Sequence, residues 1–296
     1  MSFFYKHICS FMLGMGLLLL FYGCIREDTD GCAQYAVSVK IVDADNHDIT
    51  STGTVVSVNL YLFDQNGFLR MVPKGTSTDY LIGEASDKDL TLVAWGNLET
   101  DSLEVPELLV GTSLEDARIA LLKRSNGNNL PSSDLFYNRL DLNADTRTSV
   151  NGSPSVIVLQ RLVAGISIRT NALEKYFGAS AETWHIIVHG AGDSLNFLGC
   201  TTGKQSGYEP ETILNASGDL YVPPFRIFPT EQDGNLTIDL YRGQNKLFST
   251  SMDEDGNTLR APTGKILNLN IDFSSAHSKI IVTVSDWEDI TQNTDM

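Results

Sequence analysis

The residues able to carry chemistry in this chain are few, and their spacing suits little of it. His185 and His189 stand four apart, the separation of a metal pair on a helix. The surrounding Trp184–His189 stretch reads as a strand, where four residues at 3.3 Å each separate the rings by about 13 Å, too far to share a zinc. Two structural histidines are therefore expected. Gly190-Ala191-Gly192 follows that strand as a dinucleotide turn would, but Leu195 holds the third glycine position and no helix pattern follows. Asp43, Asp45 and Asp48, and again Asp253, Asp255 and Asn257, could offer oxygens to calcium. Neither set has the distal glutamate of a calcium loop, and both lie between strands, where Asp, Asn and Gly are ordinary turn residues. No Gly-x-Ser-x-Gly, His-Glu-x-x-His or P-loop is present. No enzyme activity, metal or cofactor is expected.

The cysteines say more. Of the four, Cys24 ends a secretory signal layout: Lys6 and His7 in a short head, an apolar run from Phe11 to Tyr22, then Gly23 and Cys24. That run is too short to cross a membrane comfortably, which takes about 20 residues. Leu20-Phe21-Tyr22-Gly23-Cys24 resembles the lipobox of bacterial lipoproteins, so residues 1–23 are the expected leader and Cys24 the expected lipidation site. Glu27, Asp28 and Asp30 make residues 24–32 an acidic tether. A covalent lipid on Cys24 is then the only attached group. Cys32 and Cys200 remain, to pair in an oxidising compartment or to stand as free thiols.

The formal net charge is −16 over 296 residues, and the leader removes one lysine and no acid. Nucleic acid and anionic lipid both want excess Lys and Arg, so neither is expected as a binding surface. The length suits two domains.

The elements that must position these residues repeat with a period of two. Val37, Val39 and Ile41 alternate with polar residues, as do Val56, Val58, Leu60 and Leu62, and Asp64-Gln65-Asn66-Gly67 supplies a hairpin turn. Leu90–Trp95, Leu236–Tyr241, Leu267–Phe273 and Lys279–Asp286 continue the style. One helix is expected over Thr112–Lys123, where Thr112 and Glu115 form a capping box and Leu114, Ala117, Arg118 and Leu121 recur at helical spacing. Ser155–Thr170 is long enough to leave one sheet and enter another, which places a boundary near Gln160. The predicted fold is all-β: a sandwich over 33–160 and a second over 161–296.

The segments Cys24–Cys32, Leu60–Gly67, Thr91–Asn97, Leu159–Ile168 and Val282–Trp287, in this order, resemble the FimB-like fimbrial anchor lipoproteins of Gram-negative anaerobes. Gly165 stands where that pattern leads one to expect a lysine or similar residue. The resemblance implies two transthyretin-like β-sandwiches and no enzymatic activity. It implies an outer-membrane lipoprotein, surface exposed, that holds the base of a fimbrium, caps its growth and takes a fimbrial shaft subunit as partner. The acidic residues after Cys24 resemble surface-export signals of such anaerobes.

Strand addition or exchange is a physical route to such a contact. Lys279–Asp286 lies between a polar hinge, Ser274–Ser278, and the tail, with Ile280, Val282 and Val284 on one face. These three are the candidate partner-binding residues. Alternation suits equally a last strand of its own sandwich, with Trp287 closing the core. A glycan-binding lipoprotein would instead expose Trp95, Trp184 or Trp287 as a platform, whereas strand neighbourhoods favour core packing for all three. A hydrolase would gather an acid with His185 or His189.

Overall fold

The computed structural model describes residues 32–73, 78–85, 89–142, 153–231, 233–275 and 278–287. Cys24, the expected leader and the expected tether up to residue 31 lie outside them. The first strands are β1 (Cys32–Ile41), β2 (Val58–Asp64), β3 (Gly67–Val72), β4 (Asp79–Ala85) and β5 (Leu90–Gly96). Two short ones follow, β6 (Leu103–Glu104) and β7 (Arg118–Leu121), then β8 (Phe136–Leu142) and β9 (Ser155–Arg161). The chain continues with β10 (Ala164–Asn171), the helix α1 (Leu173–Phe177), β11 (Trp184–Asn196), β12 (Thr201–Tyr208) and β13 (Ile213–Leu214). It closes with β14 (Leu220–Ile227), β15 (Thr237–Arg242), β16 (Asn245–Thr250), β17 (Lys265–Asp272) and β18 (Lys279–Asp286). The all-β expectation holds.

Seven strands run in the order β3-β2-β5-β8-β9-β1-β4. Only Phe136–Arg161 and Tyr137–Gln160 pair where β8 meets β9, so the sheet folds over at that seam. Its halves enclose Tyr35, Val37, Val39 and Ile41 from one side and Leu60, Leu62 and Leu92 from the other. β9 and β1 are parallel, and β1 is flanked on its other side by antiparallel β4.

Ser155–Thr170 is two strands, with Leu162 and Val163 between them. β10 enters a five-stranded sheet of order β13-β14-β10-β17-β18, parallel to β17. The facing sheet runs β16-β15-β11-β7-β6, with β12 also on β11. Ile166, Ile168, Leu267, Leu269 and Ile271 meet Trp184, Ile186, Val188, Ile238 and Leu240 between the two. β6 and β7 precede the β9–β10 break yet hydrogen-bond into this sheet through β11. The same core takes in Tyr61, Phe63, Val93 and Trp95 from the outer side of β2 and β5. Those two strands are thus buried on both faces; Tyr61 sits edge-on to Phe197 at 4.9 Å.

The helix expected over Thr112–Lys123 is absent. One turn forms, with the Ala117 amide donating to the Ser113 carbonyl and the Asp116 amide to Ser113 Oγ, and then β7 begins. Ala117, Ile119 and Leu121 are buried. Their period of two fits a strand between β6 and β11, and tertiary pairing outweighs a capping signal worth about 1 kcal/mol.

Candidate partner-binding edge

β18 is the outermost strand of its sheet and pairs with β17 over eight residues, Lys279–Asp272 through Asp286–Lys265. Ile280, Val282 and Val284 oppose Ile271, Leu269 and Leu267, so all three share the core-facing side of the sheet. Their burial falls along the strand. Ile280 is 8% exposed, Val282 is half-buried against the core, and Val284 is 56% exposed although its neighbour Leu267 is buried. The facing sheet ends at its own edge strand, β16, where Leu247 and Phe248 are only partly buried. Val284 and the half-buried Val282 thus form an apolar ledge toward the Asp286 end of the strand.

Its backbone is open on the same stretch. The Ile280 carbonyl points outward and accepts from the Glu254 amide at 3.0 Å. Inward and outward residues alternate along an antiparallel strand, so Val282, Val284 and Asp286 also turn their N–H and C=O groups away from β17. No backbone partner reaches these three among the described residues. A row of unpaired groups beside an apolar ledge is what an added strand needs.

The far end of β18 is held differently. Trp287 is buried but belongs to neither core. Rather than closing a core, its ring folds over the outer side of β10, where the Arg161 guanidinium lies 4.9 Å and that of Arg226 5.1 Å from its centre. Arg161 also lies 5.0 Å from the Phe136 ring and donates to Asp134 through Nε (2.7 Å) and an Nη (3.0 Å). Arg226 Nε stands 3.6 Å from the same carboxylate. A Cβ on Gly165 would collide with the Trp287 ring, which explains why this position carries no side chain. Arg161 inside an apolar run, with Asp134 upstream, was the sequence signal for this cluster, and patterning by period alone passes over it.

The remaining candidates fall elsewhere. His185 stacks on Tyr241 at 5.0 Å, and His189 Nε2 lies 3.4 Å from Asp239. Asp239 is buried and bonded also to Ser249 Oγ (2.5 Å) and Lys246 Nζ (3.2 Å). The carboxylate sits between hydroxyl and imidazole, so the histidine is not in place to take the serine proton. Gly190–Gly192 lie inside β11, and Gly190 takes a φ of +100° where a Cβ would strike the Asn235 carbonyl. Asp43 Oδ1 accepts the Asp45 and His47 amides, and Asp253 Oδ1 those of Asp255 and Asn257. Both are turns that use their carboxylates on their own backbone. No cluster fit for a metal occurs among the described residues. Trp95 and Trp184, like Trp287, are buried, so none forms a glycan platform. Cys200 is an exposed free thiol; nothing is described of the Cys32 side chain. No helix among the described residues is long and apolar enough to cross a membrane.

Comparison with known proteins follows the same direction. The family described as fimbrillin-A associated anchor proteins Mfa1 and Mfa2 matches residues 27–293. The chain is 26% identical over 287 residues to the major fimbrium anchoring subunit FimB of Porphyromonas gingivalis, covering 92% of each protein. In fold it resembles the fimbrial anchor protein Mfa2 of P. gingivalis, with a TM-score of 0.59 at 15% identity, over 86% of this chain and 97% of that one. A Bacteroides thetaiotaomicron protein described as a candidate polysaccharide-binding protein gives 0.60 at 16% identity, over 87% and 99%. The family match over residues 27–293, on a chain whose fold is all-β, places this protein in the family of fimbrillin-A associated anchor proteins.

Proposed function

We propose that this protein holds the base of a fimbrium to the outer membrane and caps its growth, performing no catalysis. Diacylglyceryl and N-acyl chains on Cys24 supply the membrane hold, each buried methylene contributing about 0.8 kcal/mol. The adjoining shaft subunit meets β18, laying an extended segment along its outer edge. The observation that carries this reading is the coincidence, on one stretch, of the Val282–Val284 ledge with the outward backbone of Val282, Val284 and Asp286. Addition to β18 is favoured over exchange of β18, because the clamped Trp287 ties the strand to its own molecule.

Val284→Pro tests it. Proline there deletes only an outward N–H, which an edge strand tolerates, so the protein should stay folded and membrane-bound while fimbriae are shed into the medium. Cys24→Ala should release protein and fimbriae together. Fimbriae retained by a membrane-bound Val284→Pro protein would overturn the β18 contact, and a membrane-bound Cys24→Ala protein would overturn the lipid anchor.

A further inference from the structure

We infer that Trp287 is a mechanical hook, carrying tension from β18 directly into the first sandwich. The inference rests on the anchoring function proposed above, since only a protein pulled from both ends needs such a path. β10 runs outward from the junction at Ala164, β17 is parallel to it, and β18 runs back. The Lys279 end of β18 is thus the outer end, and Asp286 and Trp287 lie at the junction. β1 runs from Cys32, where the tether enters, toward the same junction, its Ile41 beside Leu159 of β9.

A partner pulling along β18 toward its outer end loads the β17–β18 rungs side by side, because antiparallel hydrogen bonds stand perpendicular to the strands. Side chains add little at the inner end, where Val284, Ser285 and Asp286 are all exposed; Asn268–Ser285 and Lys265–Asp286 are contacts at the surface. Trp287 differs. To slide outward the ring must leave the slot between Arg161 and Arg226 above Gly165. Arg161 is the last residue of β9 and is fixed to Asp134 and Phe136. Load therefore passes from Trp287 to Arg161, along β9, and across five parallel rungs into β1. Without the ring, the same load reaches the first sandwich by way of β17 and β10, then along the short Leu162–Val163 link or through the shared core and the β7–β11 pairing. Placing an indole outside both cores, on the outer side of its own sheet but against Arg161 of β9, fits this role and does not serve core packing.

Single-molecule pulling tests this on the leaderless chain with Cys32 and Cys200 replaced by serine. One handle replaces the lipid at residue 24, and the other is attached through Thr283→Cys on β18 or, off the path, through Gln244→Cys beside β16. The 24–283 pair should show a high-force step that is lost in Trp287→Ala and lowered in Trp287→Phe. The 24–244 pair should be unaffected by either variant. An unchanged step at 24–283, or an equal loss for both pairs, would overturn the hook; the latter would mark general destabilisation. Should Trp287→Ala fail to fold, the same directional comparison with Trp287→Phe decides. The handles need neither lipid nor shaft subunit, so this result and the fimbria-retention result can fail separately.

Discussion

Removing Asp134 should destabilise this protein more than removing the arginine it holds. Arg161 has a side chain only 7% exposed, pinned between the Phe136 and Trp287 rings and bonded twice to Asp134. Asp134→Ala leaves that cation nearly dry, with two ring faces and no carboxylate. Breaking a buried pair by deleting one partner costs about 3–5 kcal/mol. At about 2–4 °C per kcal/mol for a chain of this size, the loss in Tm is on the order of 10 °C. Arg161→Met takes away the buried cation itself while its thioether chain fills part of the stem's volume. Asp134 then keeps Arg226 at 3.6 Å and is the wetter partner, so the shift should be smaller. Calorimetry on residues 24–296, with near-ultraviolet circular dichroism to confirm the fold, measures both. An Asp134→Ala shift no larger than that of Arg161→Met would refute the assignment of this pair as a dry, mutually dependent one.

Two other perturbations follow from local geometry. Burial alone would raise the Asp193 pKa, but Lys123 (3.0 Å), the Lys204 amide (2.9 Å) and Ser194 Oγ (3.1 Å) hold it below the ordinary 3.8. Its folded-state pKa is thus depressed, so its contribution is present above the unfolded value and is lost as pH falls through the folded one. Asp193→Asn should therefore flatten the acid limb of a stability–pH curve below about pH 4, and an unaltered limb would count against the network. Gly190→Ala forces a Cβ onto the Asn235 carbonyl at a φ of +100°. Strain of about 1–3 kcal/mol or more should appear as a lower denaturation midpoint, whereas an unchanged midpoint would mean that the β11–β15 approach is looser than described.

The sequence alone determines the all-β class, because a period of two gives the longer strands an apolar side: Leu236, Ile238 and Leu240, or Leu267, Leu269, Ile271 and Phe273, could be assigned to a core before any partner was known. It also identifies local chemistry that closes within a few residues, such as the Asp43 and Asp253 turns, since those interactions need no distant segment. The helix expected at Thr112 fails for the complementary reason: its capping signal is local, while the pairing that displaces it comes from β6 and β11. The second buried face of β2 and β5 likewise needs Phe197 from far along the chain. Alternation places Ile280, Val282 and Val284 on one side of β18 but is silent on how much of that side the tertiary packing covers, which leaves Ile280 buried and Val284 exposed. Trp287 shows the same division. Its position at a strand end is legible as a cap, but Arg161, Arg226 and Gly165 gather around it only once β9, β10 and β14 are in place, because a ring slot built from three strands has no signature on any one of them.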